Sequence, residues 1–217
     1  MRKIDKSKIL SKNYSDWLKC LEKDNHPPYN SSNNKYYNDI KMSLLHCQQG
    51  LCAYTEEVLC NPKFIDSNNW DTEKYILALE KLDKNEIKGD LEHFDESLKE
   101  HNSWLWDNLF MVDTHANCRV KGRKSVKKIL KPDAIDYDEN KYLEFDEETG
   151  VFIANHLLTK EEKIDVTYMI ETLGLNCISY QRKKQLQEWK DRYENGLDVD
   201  AYRYMTAWSM VLKNLEN

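Results

Sequence analysis

The sequence contains few of the residues that make turns. Only 6 Gly and 4 Pro occur among 217 residues, which excludes a collagen-like repeat and argues against a turn-dense all-β fold or a Pro-rich disordered chain. Helices should therefore dominate. A chain of this length can bury roughly 70% of its unfolded surface in one core. We predict an α+β fold, built as a mainly helical single domain.

Long apolar stretches and paired cysteines are also missing. No apolar run reaches the roughly 20 residues that span a bilayer, and no stretch of signal-peptide type follows the basic N-terminus. We expect a cytoplasmic protein with no membrane partner. The six cysteines are scattered, and no two have the spacing of a zinc knuckle or a thioredoxin motif, so they are expected to be small core residues.

Apolar periodicity divides the chain into three regions. Residues 1–50 form an N-terminal helical region, residues 51–131 a central region with a helical insertion at about 61–88, and residues 132–217 an acidic hairpin followed by C-terminal helices. The predicted helices cover residues 15–23, 36–47, 72–82, 160–173, 179–193 and 199–215. The predicted strands cover residues 89–94, 106–112, 142–145 and 151–153.

The charge of the chain is unevenly distributed. The net charge is −6, which argues against a protein whose whole surface coats nucleic acid. One run without acidic residues nevertheless carries +7, so the rest of the chain sums to −13. The basic residues of that run are Arg119, Lys121, Arg123, Lys124, Lys127, Lys128 and Lys131. The run is either a solvated helix face or, as we predict, a patch that binds a polyanion such as DNA.

The central region also contains the residue types that hydrolyse phosphodiesters. Glu92 and His93 lie on one predicted strand, Asn108 lies on the next, and His115 and Asn117 precede the basic run. Attack of water on a phosphodiester needs a base with a pKa near neutrality and a divalent cation that neutralises charge. A neutral imidazole can be that base, while carboxylate and amide oxygens suit Mg²⁺ or Mn²⁺.

The order of these segments resembles a known family. The resemblance is carried by Gly50–Glu57, Leu91–Phe94, Trp106–Phe110 and His115–Asn117 ahead of Lys121, and by the later Leu173–Asn176 and Arg182. Together they resemble the HNH endonucleases. Among these, they look most like the PtuB nuclease subunits of the bacterial Septu antiphage system and their retron-associated relatives.

The resemblance implies a ββα-metal finger embedded in the domain, and a role for each motif residue. His93 would be the general base and Glu92 a metal ligand. Asn108 would fix the loop between the strands or lie close to the metal. Asn117 is the preferred third HNH position and a metal ligand, with His115 as the second choice. The implied cofactor is Mg²⁺ or Mn²⁺.

The sequence departs from the family pattern in two places. Many members bind a structural zinc through two C-x-x-C pairs, whose positions here hold Cys52, Thr55, Thr114 and Asn117. Three of the four ligands are missing, so no structural zinc is expected. In addition, counting back from Lys121 places Cys118 rather than Asn117 at the third position, and one residue turns a helical side chain by about 100°.

The function implied is metal-dependent hydrolysis of DNA by the nuclease subunit of a bacterial antiphage complex. The partner implied is an ABC or SMC-like ATPase of the PtuA kind, docked on the C-terminal helices, with retron nucleic acid as a further partner. Two alternatives stay open. The protein could be an HNH-derived subunit with weakened catalysis that docks nucleic acid or a partner, or it could be an RNase.

Overall fold

The structure is a computed structural model that describes residues 1–30 and 33–216. It is a single α+β domain of helices and two small antiparallel sheets, as predicted. The α-helices are α1 (Lys12–Lys19), α2 (Tyr37–Cys47), α3 (Lys81–Glu86), α4 (Glu139–Tyr142), α5 (Lys160–Leu173), α6 (Ser179–Glu194) and α7 (Met205–Glu216). Within the described ranges, no helix is both long and apolar enough to span a bilayer.

The two sheets are two-stranded hairpins. Strands β1 (Asp90–His93) and β2 (Leu109–Val112) pair antiparallel, with His93 opposite Leu109. Strands β3 (Leu143–Asp146) and β4 (Val151–Ala154) pair in the same way. The first pair was predicted as two short strands joined by a polar loop and the second as a hairpin, and the structure confirms all four strands to within a few residues at each end.

The first hairpin lies at the centre of the domain. All four residues of β2 are buried, and helix α2 packs against this strand. The side chain of Gln48 extends the sheet, because it donates to the Met111 carbonyl at 2.8 Å and accepts from the Met111 N–H at 2.9 Å. Seven of the eight residues of the hairpin strands are buried, among them the polar residues Glu92 and His93, while Asp90 is half-buried.

The C-terminal half confirms the predicted helix signals. Thr159 and Glu162 form a reciprocal capping box at the start of α5. The helix ends at Gly174, which has a left-handed conformation with φ of 67°. A Cβ at this position would lie 3.0 Å from the Val120 side chain. The glycine therefore lets α5 pack closely against the segment that follows β2.

Three predicted helices differ from the structure. The first, predicted at residues 15–23, is α1 (Lys12–Lys19), which begins and ends three or four residues earlier. The helix expected at residues 72–82 is wrong: Trp70 and Tyr75 form an isolated β-bridge, and the Asp71 carboxylate bonds the next backbone N–H groups in a turn. The α-helix that the structure describes within the insertion at 61–88 is α3, which begins at Lys81. The last helix begins at Met205 rather than Val199, because Tyr204 takes a positive φ of 51°.

Candidate active site around His93 and Glu92

Strand β1 ends in two buried polar residues. Glu92 is 4% exposed and His93 is 2% exposed. Since alternate residues of a strand share a face, the two side chains leave the strand on opposite sides. A buried carboxylate and a buried imidazole both lose hydration, and each needs a partner inside the protein.

The partner of His93 fixes its tautomer. The Nε2 atom lies 2.8 Å from the Ser103 carbonyl oxygen. A carbonyl can only accept, so we assign the proton to Nε2, which leaves the lone pair on Nδ1. Burial also lowers the pKa of His93, which favours the neutral ring at pH 7. The imidazole is thus a neutral base held in one orientation.

Asn108 closes the loop that joins β1 to β2. Its Oδ1 accepts from the Asp95 N–H at 2.8 Å and its Nδ2 donates to the Asp95 carbonyl at 3.0 Å. The Asn108 backbone carbonyl also accepts from the Phe94 N–H at 2.8 Å. These bonds hold the chain in place immediately after His93, which agrees with the loop-fixing alternative inferred for this residue.

Glu92 has an incomplete set of partners. Its Oε1 forms an ion pair with the Lys121 Nζ, and among the described residues this oxygen has no further partner. Burial raises the pKa of Glu92 to about 7, although Lys121 opposes the shift. The carboxylate is therefore held inside the protein with its charge only partly compensated.

Asp90 is a site residue that sequence reasoning missed. It lies two positions before Glu92 on β1, so the two side chains share one face of the strand. The Cys118 Sγ lies 3.8 Å from its Oδ2. The period of two in the strand was the signal that could have found it. Asp90 adds a second hard oxygen donor close to Glu92.

A π-helical segment, His115–Lys121, follows β2. The Asp113 carboxylate accepts from the His115 N–H at 2.9 Å and so holds its first turn. The segment ends with a hydrogen bond of 2.8 Å from the Gly122 N–H to the Asn117 carbonyl. The central region thus runs strand, strand, helical segment, which is the order that the resemblance implies. Its winding is wider than that of an α-helix.

The three alternatives for the third position lie in different environments. His115 is exposed and Asn117 is half-buried. Neither side chain forms a hydrogen bond or ion pair with Glu92 within the described ranges, whereas Cys118 reaches Asp90. The described residues contain no group of three His, Cys, Asp or Glu side chains close enough to hold a metal. Glu92 and His115 therefore belong to no such group within the described residues.

Donor chemistry nevertheless fits a hard divalent cation. Glu92 offers a buried carboxylate oxygen without a hydrogen bond, and Asp90 offers another carboxylate on the same strand face. The Asn117 amide, on the helical segment His115–Lys121, carries a further oxygen of the same chemical type. Oxygen donors of this kind suit Mg²⁺ or Mn²⁺.

Tyr29 covers the imidazole and is a second residue that the sequence reasoning missed. Its ring packs edge-on against His93 with centroids 5.0 Å apart, and it stacks on Trp104 at 5.1 Å. No motif links residue 29 to the strand, because the contact joins segments distant in sequence. The Tyr29 ring therefore lies directly beside the imidazole.

The basic run separates into exposed and buried parts. The assignment of Lys121 to the DNA-binding patch requires correction, because its side chain is 0% exposed and contacts Glu92. Lys127 is exposed but forms an ion pair with Asp165. The exposed residues of the run are Arg119, Arg123, Lys124, Lys127 and Lys128. They form a surface that follows the helical segment carrying Asn117.

Comparison with known proteins adds no family assignment. No protein-family model matches this chain, and no curated protein matches it significantly. The resemblance to HNH endonucleases therefore depends on the motif residues of the sequence alone.

Proposed function

We propose that this protein is a divalent-metal-dependent endonuclease that hydrolyses phosphodiester bonds of DNA, with His93 as the general base. The observation that carries the proposal is the hydrogen bond from His93 Nε2 to the Ser103 carbonyl, next to the carboxylate of Glu92. A neutral imidazole with a fixed tautomer and a partly compensated carboxylate, adjacent on one strand, are the groups that this hydrolysis requires.

His93 would act through Nδ1. With Nε2 bonded to Ser103, Nδ1 accepts the proton of the attacking water, and the Ser103 carbonyl stabilises the imidazolium that forms. Asn108 keeps the strand end in place while the proton moves, because its two bonds to Asp95 hold the residues that follow His93. The lowered pKa of His93 keeps the ring in its basic form at neutral pH.

Glu92 would hold the metal, with Asp90 and with Asn117 or His115 completing the ligand set. Bound there, the cation neutralises charge on the scissile phosphate and on the leaving oxygen. The exposed residues of the basic run would hold the flanking phosphates. Because the chain carries −6 overall, the hold on DNA would be confined to this surface.

A defence role and a partner ATPase follow from the resemblance alone. The partner is an ABC or SMC-like subunit, with α6 and α7 as the docking elements. Co-expression of the protein with a neighbouring ATPase gene tests this part. A stable complex at gel filtration is the expected result, and a monomer under all co-expression conditions would contradict it.

The nuclease assay compares wild type with His93→Ala on supercoiled and linear DNA in Mg²⁺ and in Mn²⁺. We expect the variant to lose at least about 100-fold in cleavage rate, because general-base catalysis is removed. His156→Ala is the matched control, since His156 is an exposed histidine bonded to Glu144. Full activity of His93→Ala, with the fold intact by circular dichroism, would overturn the proposal.

One observation favours the docking-subunit alternative. Lys121 already contacts the Glu92 carboxylate, which a metal ion would need as a ligand. A Mn²⁺ titration separates the two functions, because a docking subunit would show no affinity that depends on Glu92 and Asn117. Digestion of single-stranded RNA alongside double-stranded DNA tests the RNase alternative.

A further inference from the structure

Lys121 differs from the rest of the basic run. Its side chain is 0% exposed, whereas the neighbouring Lys124 and Arg123 are exposed. Burying an ammonium group is costly unless an opposite charge and hydrogen bonds offset the loss of hydration. A methionine could fill the same space without that cost. We therefore expect the charge of Lys121 to interact with a specific group inside the protein.

That partner is the candidate metal ligand. The Lys121 Nζ donates to the His93 carbonyl at 2.9 Å and contacts Glu92 Oε1. The ammonium group therefore lies between the backbone of the general base and the carboxylate next to it. Glu92 Oε1 has no hydrogen bond within the described ranges. The ion pair with Lys121 is the direct contact that neutralises this oxygen.

A divalent cation would need the same oxygen. An ammonium group and a metal ion bound side by side on one carboxylate repel each other strongly in a buried site. Asp90 adds negative charge on the same strand face, and this charge would attract a cation. Among the described residues, Asp90 forms no ion pair with Lys121. Exchange of one cation for the other on Glu92 is therefore the simplest way for a metal to enter.

The chain is open at Gly122, the residue after Lys121. Gly122 follows directly with a φ of 52°, and no described atom lies within 4 Å of a Cβ built on it. The helical segment ends at Lys121. Lys121 is therefore the last residue of a short helical segment, and the residue that follows it has open space where a Cβ would lie.

We propose that Lys121 is an internal counter-ion that competes with the catalytic metal for Glu92, so that the metal binds when the ammonium group leaves Oε1. This inference rests on the proposed function and adds a residue that regulates its metal site. It assigns low metal affinity to the isolated protein. Lys121 would thus act on the metal site, whereas the exposed residues of the basic run would contact DNA.

Calorimetric titration with Mn²⁺ tests the competition. The variants are Lys121→Met, which removes the competing charge, and Lys124→Met, which removes an exposed charge from the same run. We expect Lys121→Met to bind Mn²⁺ about ten-fold tighter than wild type or more, and Lys124→Met to match wild type. Equal or weaker Mn²⁺ binding by folded Lys121→Met would overturn the proposal.

Thermal unfolding gives a second readout. Lys121→Met leaves Glu92 without its counter-ion, so its melting temperature in EDTA should fall below that of wild type. Saturating Mn²⁺ should then raise the melting temperature of the variant more than that of wild type. A purely structural lysine would predict the same fall without the larger metal-dependent rise, and that result contradicts the competition.

A third measurement needs no variant, in case Lys121→Met fails to fold. Reductive methylation of wild type, mapped by mass spectrometry, should leave Lys121 protected in EDTA and modified in saturating Mn²⁺. Protection under both conditions would contradict the proposal. If wild-type Mn²⁺ binding is tight, abolished by Glu92→Gln and unchanged by Lys121→Met, the inference fails while the nuclease proposal stands. If neither protein binds Mn²⁺, both fail.

Discussion

Two buried glutamates of this protein have opposite electrostatic environments. Glu56 and Glu92 are 2% and 4% exposed. Glu56 Oε2 accepts the Thr206 N–H at 2.9 Å, while Oε1 accepts the Thr206 hydroxyl and lies 3.0 Å from the Met1 nitrogen. Glu92 Oε1 forms an ion pair with Lys121 and, among the residues that the structure describes, has no further partner.

Their pKa values diverge accordingly. Burial alone raises the pKa of either carboxyl. At Glu56 the Met1 ammonium group and the Thr206 donors outweigh burial and lower the pKa to about 2. At Glu92 burial prevails over Lys121, and the pKa rises to about 7. A buried charge with several partners is typical of a structural contact. Here the Glu56 carboxylate joins its turn to Thr206 in α7. An unsatisfied buried charge is typical of a site that awaits another ligand.

The largest expected difference is in stability. Glu56→Gln should lower the free energy of unfolding at pH 7 by about 3 kcal/mol, because it removes a charge that several donors stabilise. Glu92→Gln should change it by only about 1 kcal/mol or less, since the fold disfavours the ionised form of that carboxyl and Gln removes the charge. Urea unfolding followed by tryptophan fluorescence measures both. Equal losses would remove the distinction between the two glutamates.

The pH dependence of stability should have opposite signs at the two sites. Glu56 has a depressed pKa of about 2, so its contribution of about 3 kcal/mol is present above the unfolded value and is lost as pH falls from 4.5 toward 2. Glu92 has a raised pKa of about 7, so its contribution is present below the unfolded value and is lost as pH rises from 4.5 through 7.

The contribution of each glutamate is isolated by measuring the free energy of unfolding against pH. The profile of the matching Gln variant is then subtracted from that of wild type. The Glu56 difference should shrink on acidification below pH 4.5. The Glu92 difference should change between pH 4.5 and 7 in the opposite sense. A Glu92 difference that is flat over this range would show that Lys121 compensates the carboxylate completely.

A matched pair of asparagines extends the comparison from stability to activity. Asn108 bonds both backbone groups of Asp95, and Asn176 bonds the N–H and carbonyl of Phe152 at 2.8 and 2.9 Å. Each Ala variant loses two hydrogen bonds and should be destabilised by about 2 kcal/mol. Only Asn108→Ala should also slow DNA cleavage, by at least about ten-fold, because it loosens the strand end at His93. Equal activity of the two variants would contradict a role for Asn108 in the site.

The smallest expected effect concerns the exposed basic residues. Arg123→Ala should weaken DNA binding uniformly across sequences and reduce the slope of log K against log salt concentration by about 1. Lys127→Ala should change the slope less, because Lys127 is already paired with Asp165. Fluorescence anisotropy with a labelled duplex over a range of salt concentrations measures both. Unchanged slopes for both variants would place the DNA elsewhere.

Local signals in the sequence predicted most of the fold. The period of two and the turn residues located β3 and β4, and the capping box of Thr159 and Glu162 located the start of α5. The apolar spacing at residues 72–82 was misleading, because Asp71 forms a turn with the following N–H groups. A side-chain bond of this kind competes with a helix and leaves the apolar period unchanged.

The site was predicted less completely because it depends on distant segments. The motif located Glu92, His93 and Asn108 on one hairpin, which the structure brings together. The burial of Lys121 and the packing of Tyr29 on His93 depend on how separate segments meet in space. A run of like charges gives no indication that one of its members turns inward. Nucleic-acid contact, metal binding and the ATPase partner stay predictions.

Chemical rescue tests the central claim most directly. His93→Gly leaves a space that free imidazole can fill, and an added base can then take the proton that His93 Nδ1 would have taken. The account predicts that this variant is inactive on DNA in Mn²⁺ and that imidazole restores cleavage in proportion to the concentration of its neutral form. Cleavage by His93→Gly at the wild-type rate without imidazole would contradict the role of His93 as the general base.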